Sequence, residues 1–455
     1  MIKKFFLFGM ISLNLATTAQ NEVLDGYVRE GLANNLALRQ KTLSAQRAMA
    51  ALREARGMFL PSVSIEARYS RAGGGRIIDI PIGDLMNPVY YTLNKLIQQP
   101  LFPTNLPNES IPFLREEEQE TKLRITQPLF HPAILFNYRI KSDLKDVEDL
   151  SRAVYARQLV LDIRTAYFNF LKADKLVELL SATETLVREH VRVVEKLHAN
   201  DKANLSDLYR AQAEIPAIEQ QKAEAEKGRM LAASYLNFLL NRPLDGPIEK
   251  TADRPRIVSE PELDEADSSA LARREELRQM DLAISLMKNK VRISAASFLP
   301  GITAVLDWGY WDEKYRITPD NDYWMASLVA SWNLFNGFQD KYKVDQAKLE
   351  KKEKEAERLS IRNQILLQIR EARENVKIAD AAIETAERRL AAARKSFDAV
   401  DSRYRQGLAP QIELIEGRNN LTLAEVGAVA ALYDYQIRKA EWEKATASFP
   451  LSLPE

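Results

Sequence analysis

The chain contains no cysteine. Disulfide scaffolds, thiolate zinc sites and cysteine nucleophiles are thereby excluded. Histidine is scarce as well: His131, His190 and His198 are the only three, and none is spaced as a metal-binding pair. No metal and no cofactor is expected. An excess of charge is missing too, because 64 Lys and Arg offset 64 Asp and Glu. A nucleic-acid binder needs a basic excess to meet phosphates, so no nucleic-acid partner is expected. Gly73-Gly74-Gly75 lacks the flanking strand, helix and lysine of a phosphate-binding loop, and no nucleophile elbow or metal cluster occurs. His131, beside Pro132, reads as a rim residue rather than a catalyst, and the chain is not expected to be an enzyme. Long apolar runs are also absent. Beyond the first residues nothing approaches the roughly 20 apolar residues of a membrane-spanning helix. A place in a membrane would have to be taken as a β-barrel.

What the chain does have begins with an export signal. Lys3 and Lys4 precede a short apolar run from Phe5 to Leu15, and Thr17-Thr18-Ala19 supplies small residues for cleavage. That order is the pattern of a secretory signal over residues 1–19. The rest is built twice. Ala55-Arg-Gly-Met-Phe-Leu-Pro61 has its counterpart in Ala295-Ala-Ser-Phe-Leu-Pro300, and Gln127-Pro-Leu-Phe130 in Trp332-Asn-Leu-Phe335. The expected organisation is repeat 1 over 20–240, an irregular connector over 241–267, repeat 2 over 268–448 and a short tail over 449–455.

Each repeat contains a very long helical run. From Phe338 to Gln406, and from Ala133 to Ile215, there is neither Gly nor Pro. As a single helix the first of these would extend about 100 Å. Apolar residues recur in steps of four and three through Ile365, Ile369, Ala372, Val376, Ala379, Ile383, Ala386, Leu390, Ala393, Phe397, Val400 and Tyr404. The equivalent set in repeat 1 is Leu159, Ile163, Ala166, Phe170, Ala173, Val177, Leu180, Glu184, Val187, Val191, Val194 and His198. This is a coiled-coil seam in which large knobs meet holes beside alanines. The runs turn back near 199–204 and near 405–411, where Asn, Asp, Gly and Pro break the helix. His198, at the first turn, is a weak candidate for protonation below neutral pH. Pro216 is expected to bend the returning helix of repeat 1.

Between the helices lie four alternating stretches, 62–70, 122–129, 301–311 and 323–334, each near the length of a tilted membrane strand. Trp308, Tyr310, Trp311, Tyr323, Trp324 and Trp332 crowd into one hairpin, as an interfacial aromatic girdle requires. Alternation alone also suits a soluble half-buried sheet. About eight strands are needed merely to enclose side chains, and open edges in lipid are very costly. Four strands therefore predict an obligate assembly of several copies. The loop over 71–120 is rich in Gly and Pro and long enough to be functional or mobile.

Phe59-Leu-Pro61, Phe298-Leu-Pro300, Gln127-Pro-Leu-Phe130, Trp332-Asn-Leu-Phe-Asn-Gly337 and Tyr404-Arg-Gln-Gly407, followed by Ile412 and Leu414, together resemble the TolC family of outer-membrane efflux and secretion channels. The resemblance implies a mainly α fold with a membrane β-barrel, in which each chain of a homotrimer gives four strands to a 12-stranded barrel and long antiparallel helices to a periplasmic α-helical tunnel. It implies a passive exit duct in the outer membrane of Gram-negative cells. That duct would serve a tripartite efflux or type I secretion system, with a periplasmic adaptor and an inner-membrane pump as partners. It also implies a periplasmic entrance ring at Glu413 and Glu416 and a gate latch involving Tyr404 and Asp207. The family's arginine two residues after the turn glycine is replaced by Ala409, which leaves Arg403 and Arg405 as candidates for its part. A periplasmic adaptor or a structural coiled coil without a pore is the competing reading, and the exported cargo is not specified by the residues.

Overall fold

The computed structural model describes residues 22–250, 266–449 and 451. The expected signal at 1–19, part of the connector and most of the tail lie outside these residues. In chain order the helices are α1 (22–34), α2 (Leu36–Gly57), α3 (Ile82–Ile97), α4 (Pro132–Ala199), α5 (Leu205–Leu240), α6 (Ala266–Arg273), α7 (Glu275–Ala295), α8 (Gln339–Arg405) and α9 (Gln411–Ala445). The strands are β1 (Ser62–Arg71), β2 (Ile77–Ile80), β3 (Glu109–Pro112), β4 (Glu117–Phe130), β5 (Gly301–Asp312) and β6 (Asp322–Ser331). The chain divides into two units. One is helical and contains residues 1–51, 141–288 and 348–455; the other, 52–140 and 289–347, carries the strands.

In the helical unit, α4 and α8 run for 68 and 67 residues. Length follows from the lack of breakers, and burial follows the seam. Leu159, Ile163, Ala166, Phe170, Val177, Leu180, Val187, Val191 and Val194 are buried on α4. On α8, Ile365, Ile369, Ala372, Val376 and Ile383 are buried. One cluster joins Tyr27, Leu32 and Leu38 to Tyr167, Leu236 and Tyr433, and a second joins Ala270 and Leu277 to Ile369, Tyr435 and Trp442. Each fully buried large apolar side chain contributes roughly 1.5–3 kcal/mol.

Polar clasps lock the pieces of this unit. Arg157 grips both oxygens of Glu275, at 3.0 and 2.5 Å, and donates to the Phe449 carbonyl at 3.0 Å. Arg274 donates to the Ala445 carbonyl at 2.8 Å. The break between α1 and α2 is set by Asn35, whose side chain accepts from the Leu38 amide and donates to the Leu239 carbonyl. α5 continues through Pro216, supported on both sides of it by Ala211 and Ile218, which are buried. α6 begins at Ala266, inside the segment expected to be an irregular connector.

The two turns are closed by different chemistry. At the α4–α5 turn, Asp201 takes a left-handed backbone (φ 58°), and the Asn204 side chain accepts from the Asp207 amide at 2.9 Å. That bond satisfies one orphan amide of α5. At the α8–α9 turn, Gly407 sits at φ 75°, and the amides of Gly407 and Leu408 return to the carbonyls of Tyr404 and Arg403. A left-handed residue just past the helix end is what glycine adopts without a Cβ penalty.

In the strand unit, β1, β4, β5 and β6 form one antiparallel sheet in the order β1-β4-β5-β6. All four strands depart from their expected bounds, β1 only by running one residue further, to Arg71. β4 starts at Glu117, well before the expected 122, because its acidic residues lie opposite Arg68 and Arg71 in register. β5 takes in Asp312, one residue past the expected 311, opposite Gln119. β6 stops at Ser331. Trp332 leaves the ladder there and donates its indole N–H to the Phe298 carbonyl at 3.0 Å. Gly309 is required by close approach: a Cβ there would lie 2.3 Å from the Thr121 carbonyl oxygen. The segment read as a long loop is also structured. It holds the β2–β3 hairpin and the 16-residue α3, which contains Pro88.

Candidate functional site

The register of the sheet sorts its side chains. Ile65 pairs with Leu123, Leu123 with Trp308 and Trp308 with Trp324; one step along, Val63, Ile125, Leu306 and Ala326 align in the same way. The result is one apolar face that crosses all four strands. Val63, Ile65, Leu306, Trp308, Trp324 and Leu328 on it are exposed. A sheet that exposes its apolar face and buries charge on the other is inverted relative to a soluble half-buried sheet.

The opposite face is a charged network. Arg124 clasps Asp307 with two bonds of 2.8 Å and reaches Glu66 at 3.1 Å. Lys122 bonds Glu120 at 2.8 Å, and the Tyr323 hydroxyl donates to Glu120 at 2.5 Å. Asp307 is fully buried. An ionised carboxylate survives burial only when paired and hydrogen-bonded in this way. The expected girdle is thus divided between the faces. Trp308, Tyr310 and Trp324 lie on the apolar face, as their pairings require. Trp311 and Tyr323 are one residue out of phase and point to the charged face, where Trp311 donates to Glu118 at 2.6 Å. Trp332 lies beyond the strand.

The second site is at the helical turns. Gln411, the first residue of α9, donates to the Asp207 carbonyl at 3.1 Å and lies 3.3 Å from the His190 Nε2. It therefore links α9 to both α4 and α5. Two turns further along α9, buried Arg418 pairs with Glu214 of α5. Tyr404 of α8 packs on the His190 ring at 5.8 Å between centroids. Burial, and after it the nearby Asp207 carboxylate, push the Tyr404 phenol above its usual range. Burial, then the charge of Arg418, hold His190 below its usual range, against the opposing pull of Glu214 and Asp401. Two open clefts, about 430 and 290 Å³, flank Arg418.

The latch and ring candidates are distributed unevenly around this node. Tyr404 and Asp207 belong to it. Arg403 turns to its own hairpin, pairing with Glu413 at 3.4 Å and donating to the Leu408 carbonyl at 3.2 Å. Arg405 pairs with Asp401 at 2.8 Å, one turn back on its own helix. Glu416 is exposed and Glu413 half-buried. His198 contacts the Ala203 carbonyl at 2.9 Å, inside its own turn. His190, Gln411, Arg418 and Glu214 were not singled out by sequence, since a charged or amide residue on a heptad helix reads as solvated. Among the described residues no group of acidic and histidine side chains could hold a metal ion. No helix among them is long and apolar enough to cross a membrane.

Comparison with known proteins accords with this architecture. Residues 267–448 match the family model described as outer membrane efflux protein. The chain is similar to that family in its second half, which the match takes in. It is 20% identical to the outer membrane protein TolC of Salmonella enteritidis over 95% of this chain and 83% of that one. The Escherichia coli TolC is also 20% identical, over 96% of this chain and 85% of that one. Among solved structures, CusC superposes with a TM-score of 0.78 at 16% identity, covering 93% of this chain and 92% of that one. The Campylobacter jejuni CmeC outer membrane channel gives 0.76 at 17%, covering 93% and 85%. The chain therefore has a TolC-like fold.

Proposed function

We propose that this protein is an outer-membrane channel, the passive exit duct of a tripartite efflux or type I secretion system. A homotrimer would close a 12-stranded barrel, and a periplasmic adaptor and an inner-membrane pump would deliver small molecules or polypeptides to it. The observation that carries the reading is the four-stranded sheet. Its apolar face is exposed, its charged face is internally paired, and β1 and β6 are left as open edges. Lipid does not tolerate unpaired edges, so copies of the chain must close them. Channels of the family are trimeric and work with efflux pumps, which agrees with closure by three.

The entrance is assigned to the helical turns. Glu413 and Glu416 from three chains would form a carboxylate ring favouring cations. The closed state would be held by the node of Tyr404, Asp207, Gln411, His190 and the Arg418–Glu214 pair. Arg403 and Arg405, both engaged within their own hairpin, are free for that role only after exchanging partners. Trp308, Tyr310 and Trp324 are proposed as girdle residues on the lipid face.

Fractionation followed by planar-bilayer recording tests the reading. The expected result is outer-membrane recovery, an oligomer of three chains and a cation-preferring conductance lowered by Glu413→Ala/Glu416→Ala. Recovery in the soluble periplasm would sink the channel assignment in favour of an adaptor. An unchanged cation preference in the double variant would remove the two glutamates from the entrance.

A further inference from the structure

The helix α3 is built inside out. Its polar stripe is consumed by the chain itself. Asn94 exchanges two bonds with the backbone of Phe102, at 2.7 and 2.9 Å. Asn87 does the same with Leu106, at 3.0 and 2.8 Å. Asp84 is held by Asn108, whose amide donates to its carboxylate at 2.9 Å. Asp84, Asn87 and Asn94 share one side of the helix, and the segment from 102 to 108 is strapped along it. The other side is apolar and open. Ile82, Leu85, Val89, Leu93, Leu96 and Ile97 recur there at helical spacing, with Leu96 75% and Leu85 66% exposed. Between Asp84 and Glu109 the only charged residue is Lys95.

Such a stripe in water is unfavourable, and contiguous exposed apolar surface marks an interaction site. A helix lying in a membrane interface shows water a strongly charged face rich in Lys and Arg. Here the polar side is already occupied, and one lysine is too little for lipid headgroups. The position of the insertion points to a different occupant. It leaves from the end of β1, an edge of the sheet. If copies close the barrel by joining β1 to a neighbour's β6, each insertion emerges at the seam between two copies.

We propose that the apolar stripe of α3 packs against the α3-bearing insertion of a neighbouring copy of this chain. Three such contacts narrow the outer opening of the duct. The inference rests on the trimer reading above, and the test separates the two.

Because the chain has no cysteine, single thiols can be introduced cleanly. Leu85→Cys, Leu96→Cys and the double variant place thiols on the stripe; Tyr91→Cys places one on the opposite side. Each is reconstituted in vesicles, and trimer formation is read independently by amine cross-linking. With trimers present, the stripe variants are expected to link copies through a disulfide or a short bis-maleimide about tenfold more than Tyr91→Cys, since a disulfide needs Cα atoms within roughly 7 Å. Stripe thiols that react with a membrane-impermeant maleimide as fast as Tyr91→Cys would overturn the proposal in favour of a wet surface. Unlinked stripe thiols whose attached fluorophore is quenched by nitroxide lipid would overturn it in favour of a lipid contact. Absence of trimers in every variant and in the unmodified protein would instead bring down the assembly on which it stands.

Discussion

The two helical hairpins share a sequence plan and differ in how tightly they are packed at their turns. In the first, Val187, Val191 and Val194 are 2, 5 and 1% exposed, Val187 sealed against Ile218 and the other two against Ala211, Ile215 and Leu208 of the returning helix. The equivalent residues of the second, Ala393, Phe397 and Val400, are all only half-buried. Gly417 faces Phe397 and Val400 across that hairpin, where a Cβ would meet them only at 3.6 and 3.9 Å. The first hairpin is thus a finished coiled coil. The second keeps unspent apolar surface and open clefts beside it, and is held to the first by the polar contacts of Gln411 and Arg418. Polar ties at a loosely packed joint suit a part that moves, because they can be exchanged without tearing a dry core.

Four measurements would break or sharpen that contrast. The largest effect is expected from Arg418→Met. It strands the Glu214 carboxylate, and removing one member of a buried pair costs about 3–5 kcal/mol; urea titration followed by circular dichroism reads it, and the double variant Arg418→Met/Glu214→Leu should recover most of the loss. Next comes one substitution at two equivalent sites. Val194→Ala should cost about 2 kcal/mol and Val400→Ala less than about 1, because only the first leaves a sealed cavity. Equal losses would show that the second hairpin is as tightly packed as the first.

A smaller effect is expected from pH. His190 is held below its ordinary pKa in the folded chain, so the unfolded chain binds its proton first. Stability is fully present above the unfolded value of about 6.5 and falls as pH drops through it toward the lowered one. The groups facing His190 are Tyr404 and Asp401 on α8, Gln411 and Arg418 on α9, and Glu214 on α5. His190→Gln should flatten this part of the pH profile; a profile unchanged by that substitution would remove the histidine from the joint. The smallest effect is expected from Arg403→Ala, whose pair with Glu413 is largely exposed and is worth about 0–1 kcal/mol. Any larger destabilisation would mean that Arg403 holds more than its own hairpin.

The legible parts of this fold were those written in a period. The coiled-coil seam and the four strands of the sheet follow from spacings of seven and of two, which burial on one face imposes, and both turns from the Asn, Asp, Gly and Pro that interrupt the seam. What escaped was written against local habit. Glu117 to Glu120 hid the start of β4, because acidic residues disfavour strands unless basic residues answer them across the sheet. Gly83, Pro88 and the prolines after it disguised α3, whose amide grip on the irregular segment at 102–106 joins residues 8 to 19 apart. The joint at His190, Gln411 and Arg418 was invisible for a third reason. Only the meeting of two hairpins, far apart in sequence, decides which polar residues of a heptad helix lose their water.

The open edges at β1 and β6 carry a consequence for inheritance. On the proposed assembly, a chain that supplies only an arc of a closed wall has no function to contribute alone. With the wall completed by copies of itself, an altered chain made beside a normal one would enter most of the assemblies and spoil more than its own share. Damage at the seam should therefore act dominantly, whereas damage that keeps the chain from folding removes it from the pool and should be tolerated.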